Sequence, residues 1–447
     1  MRLGHSPRLL ELAAALLCAL APSVGARADE PPAPTPLVAT AAPLTLESAV
    51  EQALARGEQA RIAELELEGA EARIDKARSF LLPDVTLGAT YTRYLDERSP
   101  VLGKVPPSDA LGAALTIGVT LFDGRGFPLY AYAERERDAQ KLETAETRRT
   151  LAFDAASAFL ATLSQERVEE AARTRVELAT KSYAQAKSRF DAGLASSNDV
   201  TQTELEMAAS ERDFTSAQAE VQKRRLELGY FLARDVDEPL QAPRTMLAAA
   251  EAAGLAAEGT LTTPPAGTRL DVAALRAHAE AQNELADEPS WRWVPTLSAN
   301  AAQRFTNARD WRETTVGLAL TWALWDGGER SADRSERLAT AAAKRLSADA
   351  RERSARTEVK QALVALQRGA RVLSQAARTA EVAHRNGTET GELYRQGLAT
   401  ALAVADASSR LFSAEVELAR ARYDLAVGLL SLRRALGLDP FGKEPVR

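Results

Sequence analysis

From Leu129 to Ala192 the chain runs 64 residues without a glycine or a proline. At 1.5 Å per residue that stretch predicts one helix of about 96 Å, several times the width of an ordinary domain. It ends at "RFDAGLASSNDV" (189–200), and about 204 positions later the chain writes "LYRQGLATALAV" (393–404). Within the stretch, Ala172, Val176, Ala179, Tyr183, Ala186 and Phe190 recur alternately by four and three, and Leu142, Ala145, Ala152, Ala156, Phe159 and Leu163 follow the same rule. That is a heptad seam with mostly small knobs, suited to helices packed closely side by side. Gly193, which tolerates positive φ, is predicted to end the first helix. Ser196 or Ser197 is predicted to cap the next, as is Thr400 in the second motif. Each motif therefore reads as the tip of a long helical hairpin.

The repetition extends beyond the tips. "LFDGRG" (121–126) returns as "LWDGGE" (324–329), and "LLPDVTL" (81–87) is answered by "WVPTLSA" (293–299), with Pro83 over Pro295. Three landmarks in one order at nearly one offset predict a tandem duplication. The period is too long for a solenoid repeat, so each copy is a subdomain. The first copy spans 44–235 and the second 269–437. Each opens with an amphipathic helix (47–80; 269–288, where Pro289 cuts it short). Two strands follow, then a very long helix, the tip and a returning helix (196–232; 401–436). The tips lie near 193–196 and 397–400. Residues 236–268, with "DEPLQAP" and "TLTTPPAG", read as an irregular linker, and 438–447 as an irregular tail.

The strands are expected at 83–94, 113–122, 295–305 and 315–325. Leu115, Ile117, Val119 and Leu121 alternate with small or polar residues, as do Leu318, Leu320, Trp322 and Leu324. A transmembrane strand needs about 9–11 residues with lipid-facing and lumen-facing positions alternating. Tyr91, Tyr94, Trp291, Trp293, Trp311 and Trp325 fall near strand ends, where an interfacial aromatic girdle would sit. A half-buried sheet in a soluble sandwich shows the same alternation. Signs of export and the lack of a thick globular core favour the membrane. Four strands cannot close a barrel and open edges are not tolerated in hydrocarbon, so copies of the chain must assemble side by side.

The signs of export are at the start. Arg2 and Arg8 precede the apolar run "LAAALLCALA" (12–21), and Ala26-Arg27-Ala28 offers a cleavage site, so 1–28 reads as a signal peptide and 29–43 as a linker. Cys18, the single cysteine, lies inside that run behind Leu17, which is too large for a lipoprotein site. The mature chain is expected to have no thiol and no disulfide. A formal charge of −6, with no basic stripe interleaved with aromatics, argues against nucleic acid. No catalytic constellation, cofactor or metal site is expected. His278 and His384 stand alone, "FDGRG" and "WDGG" lack a phosphate-loop frame, and "HRNGTETG" (384–391) reads as a loosened helical turn.

The layout resembles the TolC-type outer-membrane factor family of Gram-negative bacteria. The resemblance rests on "LTLESAVEQALARG" (44–57), the two "DG" turns, the two tips and "ARYDLAVGLLSLRRALG" (421–437), in order, and covers essentially the whole mature chain. It implies an α+β membrane protein whose trimer completes a twelve-stranded β-barrel, four strands per chain, continued across the periplasm by an α-barrel. Residues 236–268 and the chain ends would form a belt around the middle. The implied function is a passive exit duct of a tripartite efflux or type I secretion system, with a periplasmic adaptor and an inner-membrane pump as partners. The tips would be the gated periplasmic entrance. Asp199, Tyr394 and Asp406 match gate positions, Ala399 and Ala403 replace a family arginine and aspartate, and Arg395 is a displaced substitute. Gly193, Leu194, Gly397 and Leu398 are the implied adaptor-docking tips. A periplasmic coiled-coil scaffold without a channel is the rival reading.

Overall fold

The computed structural model describes residues 43–93, 95, 109–257, 269–306 and 311–443. The expected signal peptide and most of the linker after it lie outside the described residues, as do Tyr94 and the last four positions. The elements are α1 (Leu46–Arg56), α2 (Glu58–Ser79), β1 (Asp84–Arg93), β2 (Asp109–Phe122), α3 (Gly126–Asp191), α4 (Ser197–Leu232), α5 (Arg244–Ala257), α6 (Leu270–Leu285), α7 (Glu288–Trp291), β3 (Thr296–Thr306), β4 (Trp311–Thr321), α8 (Glu329–Arg395) and α9 (Ala401–Ala435).

The two long helices have 66 and 67 residues, each about 100 Å of continuous helix. "HRNGTETG" does not loosen α8, which runs through it without a break. Two glycines in one turn cost propensity, but helix on both sides supplies every hydrogen bond that the turn needs. The expected single helix over 47–80 is instead two, because Gly57 is extended and closes α1 by donating to Ala53 O at 2.8 Å. The second opening helix also stops early, at Leu285, and Pro289 then starts the short α7.

The segment 236–268 is not wholly irregular. It contains α5, and it begins with Leu240 bridged to Leu44 through hydrogen bonds from Leu44 N to Pro239 O and from Gln241 N to Leu44 O. Met246, Leu247 and Ala250 of α5 are buried in the main core with Leu46, Ala49 and Val50 of α1, Phe153, Phe159 and Leu160 at the middle of α3, Leu228 and Leu232 of α4, Leu366 of α8, and Leu425 and Leu430 of α9. The core is thus a hub halfway along the long helices. It lies where the returning helices α4 and α9 end, with Leu44 packed into it.

Charged side chains lock the elements around the hub. Arg149 of α3 donates to Arg434 O and Leu438 O at 3.1 Å each, tying α3 to the end of α9 and to the turn just past it. Arg269 is held by Asp271 at 2.8 Å and Glu358 at 2.5 Å, and Arg351 of α8 binds the same two carboxylates. Burial pushes the Asp271 carboxyl up, but Arg269 and Arg351 outweigh it and hold the group below its ordinary range.

His278 does not stand alone, contrary to the sequence expectation. It projects from α6 between Glu136 (3.2 Å) and Glu143 (3.3 Å) of α3. Hydrogen bonding to Glu136 raises the imidazole pKa above its ordinary 6.5 against the opposing effect of burial, and lowers that of Glu136. A group whose folded pKa is raised gives stability that is full below its unfolded pKa and fades as pH rises through the folded value. Thermal stability of the wild type should therefore fall as pH climbs from about 6.5. His278→Gln should flatten that slope. Melting curves between pH 6 and pH 8.5 test this, and identical slopes would refute it.

Candidate functional sites: an open sheet and paired hairpin tips

The four strands form one antiparallel sheet in the order β1-β2-β3-β4. Register decides what each face carries. Val85 lies opposite Ile117 and Leu87 opposite Leu115, while Ala301 lies opposite Val316, Ala299 opposite Leu318 and Leu297 opposite Leu320. Ile117 is in turn opposite Ala301, so these residues share one face. The other face carries Thr86, Thr116, Asn300, Thr315 and Gly317, in the same registers. Leu87 is 78% exposed, Val316 82% and Leu318 74%. Among the described residues this apolar face has no cover, and the outer edges of β1 and β4 have no strand partner in the sheet. No helix among the described residues is long and apolar enough to cross a membrane.

Strand limits differ from the sequence reading in two places. β2 begins at Asp109, where Tyr91 donates its hydroxyl to the carboxylate at 2.8 Å. β4 covers Trp311–Thr321 rather than 315–325, because its partner β3 begins at Thr296, opposite Thr321. Trp322 and Leu324 lie past the strand, and the Trp322 indole donates to Trp293 O at 3.0 Å. The duplicated "DG" turns then pass the chain from sheet to helix. Asp123 accepts from the backbone and guanidinium of Arg125, and Asp326 accepts from Gly328 N, Arg330 N and the Arg330 guanidinium. Arg330 also stacks on Trp293 with its guanidinium 4.0 Å from the ring centroid.

At the far ends of the long helices both tips have one construction. Gly193 (φ 74°) and Gly397 (φ 80°) end their helices in the left-handed region. Gly193 N donates to Phe190 O and Leu194 N to Arg189 O, while Gly397 N donates to Tyr394 O and Leu398 N to Leu393 O. These are paired Schellman bonds, which satisfy carbonyls that a helix end leaves open. Ser196 and Thr400 then cap the returning helices by accepting from Asp199 N and Ala403 N. Leu194 and Leu398, each 72% exposed, protrude from the turns. No atom lies within 4 Å of a Cβ added at Gly193, so Gly193→Ala is opposed by backbone strain alone. It should cost about 1 kcal/mol and speed limited proteolysis at that tip about fivefold. An unchanged cleavage rate would contradict the strained-turn argument.

The sequence-selected residues around the tips do not form one cluster. Asp199 completes a capping box, its carboxylate accepting from Ser196 N and Ser196 Oγ. Ala403 holds the equivalent position in the second tip, which has the Thr400 bond without an acid. Arg395 pairs with Glu392 and Asp406 with Arg410 (2.9 Å), each on its own helix and exposed. Tyr394 alone is buried, 6% exposed, and among the described residues its hydroxyl has no hydrogen-bond partner. Burial pushes its pKa up, Arg189 pulls it down, and the charge of Asp199 adds to the rise. The residue that touches it was missed in the sequence. Arg189 donates to Tyr394 O at 2.7 Å and stacks on the ring at 5.2 Å. The available signal was an asymmetry, arginine in one copy where Leu393 stands in the other.

Known proteins share this arrangement. The sequence pattern of the family described as outer membrane efflux protein matches residues 49–233 and 266–438. The outer membrane protein TolC of Vibrio cholerae is 24% identical over 382 residues, which is 81% of this chain and 84% of that protein. Among solved structures, the CmeC outer membrane channel of Campylobacter jejuni superposes with a TM-score of 0.73 at 16% identity, covering 96% of each chain. The open-state MtrE outer membrane channel of Neisseria gonorrhoeae gives 0.70 at 17% identity, covering 90% of this chain and 91% of that one. The chain therefore belongs to the outer membrane efflux protein family, and its place is the outer membrane of a Gram-negative bacterium.

Proposed function

We propose that three copies of this chain form a passive exit duct through which an inner-membrane pump and a periplasmic adaptor discharge their cargo. The observation that carries this reading is the sheet, open at both edges with one bare apolar face. Unpaired backbone groups are not tolerated in hydrocarbon. Edge-to-edge pairing of β4 with β1 of the next copy satisfies them, and three sheets of four strands make a barrel of twelve. The apolar face then meets lipid and the Thr-, Gly- and Asn-bearing face lines the lumen, as membrane barrels require. The duplicated helical hairpins continue the wall as a tube across the periplasm, with the hub as its belt. A soluble scaffold would leave Leu87, Val316 and Leu318 in water, which disfavours that alternative.

The tips are the periplasmic entrance in this reading. Gly193 and Gly397 shape the two turns, and Leu194 and Leu398 are the knobs offered to the adaptor. Tyr394, Asp199, Arg395 and Asp406 stand around the opening. Efflux pump and type I exporter are both compatible with a duct of this kind. The decisive experiment is to purify the full chain in detergent, determine its mass by light scattering and record conductance in planar bilayers. A trimer with a steady conductance is the expected result. A water-soluble monomer without detergent would overturn the reading.

A further inference from the structure

Beside the hub lies a groove that a passive duct does not call for. Gly254 lets α5 settle directly on α8, since a Cβ there would stand 2.7 Å from that of Ala370. From this crossing a groove of about 740 Å³ runs along α8 and α9 in the direction of the tips, with Arg167 and Thr174 of α3 on its other side. Ala171, Leu373, Ala377 and Leu418 give it apolar walls. Its charges almost cancel, because Arg167 pairs with Glu170 at 2.5 Å and Arg422 with Glu251 at 3.7 Å. Glu415 of α9 is the exception. It lines the same groove half-buried, and among the described residues it has no hydrogen bond or ion pair. Burial pushes its pKa up against the opposing charge of His384. The groove thus holds one negative charge that no neighbouring side chain matches, and a carboxylate drawn out of water without a partner is costly.

We propose that this groove is a binding site for a lipophilic organic monocation, with its charged centre at Glu415 and its apolar body against Leu373 and Leu418. The single unmatched carboxylate asks for one positive charge, and a second would be left unpaired between apolar walls. Those walls offer few of the oxygen ligands that a small metal cation needs. The volume falls in the range of about 300–1,000 Å³ that holds drug-sized molecules. One rival occupant starts close by, because α5 ends at Ala257, two residues past Leu255 on the rim. The stretch that follows, 258–268, has no lysine or arginine, so it has no charge to set against Glu415. All the lining residues belong to one chain, so the site stands independently of the duct reading.

The test uses the full chain in lipid nanodiscs, with tetraphenylphosphonium as the probe in equilibrium dialysis and empty nanodiscs subtracted. Saturable binding of one cation per chain is the expected result. Glu415→Gln, which keeps the shape and removes the charge, should weaken it about tenfold, as loss of a partly desolvated charge pair implies. Triphenylphosphine oxide, a neutral probe of similar bulk, should bind more weakly and equally to the wild type and to Glu415→Gln, whereas a distorted groove would lose both probes. Leu373→Trp, which fills the groove, should weaken both. Equal affinity of the wild type and Glu415→Gln for tetraphenylphosphonium, or uptake that never saturates, would overturn the proposal. So would a wild type that binds nothing beside a chain that binds once 258–268 is replaced by glycine and serine, since the groove would then be filled by its own chain. Conductance has no bearing on any of these outcomes, so failure of the duct leaves the site to be judged by dialysis alone.

Discussion

Val316→Arg is expected to abolish stable assembly in the outer membrane, while Thr315→Arg, one residue away, leaves it largely intact. Val316 lies in the middle of β4 on the bare apolar face, and Thr315 on the opposite one. A charged residue facing lipid at the midplane of a barrel costs about 2–4 kcal/mol, whereas a lumen-facing one changes selectivity more than stability. In the proposed trimer, three copies multiply the penalty to about 6–12 kcal/mol, enough to empty the folded population. Membrane fractionation and a mildly denaturing gel would read the result as loss of the trimer band for Val316→Arg only. Equal behaviour of the two variants would show that the faces are not distinguished by lipid, and the barrel reading would fall with them.

Phe159→Ala should be the most damaging truncation in the helical part. Phe159 is 0% exposed at the middle of α3, in the hub where α1, α4, α5, α8 and α9 converge. Emptying a buried phenylalanine site costs about 3–5 kcal/mol, part of it lost transfer energy and part cavity. Because the hub gathers helices from both halves of the chain, the loss should spread, lowering the urea midpoint of the helical signal in detergent. A midpoint within error of the wild type would mean that the hub is not the main source of helical stability. The long helices would then stand on packing between chains.

Much of this was legible in the residues. The tips follow from Gly193, Gly397, Ser196 and Thr400, since turn chemistry acts within a few residues. The bare face of the sheet follows from period-two alternation. Legibility failed where a neighbour in space decides. The alternation of Leu318 and Leu320 continues through Trp322 and Leu324, yet β4 stops at Thr321 because its partner has begun only at Thr296, behind Pro295 with no N–H to give. The flanking prolines of 236–268 masked α5, a helix half of alanine that is stable because Met246, Leu247 and Ala250 complete the hub. His278 looked solitary because its partners stand 142 and 135 positions away.

The sequence by itself determined the doubled plan, the hairpin tips and the alternation that marks the strands, since each is written in backbone preferences and periods spanning a few residues. Only the tertiary structure decided which charges meet, where β4 ends and that Arg189 serves both turns. Those outcomes depend on the rotation of one long helix against another, and a shift of one residue there, about 100° of turn, would aim every side chain elsewhere.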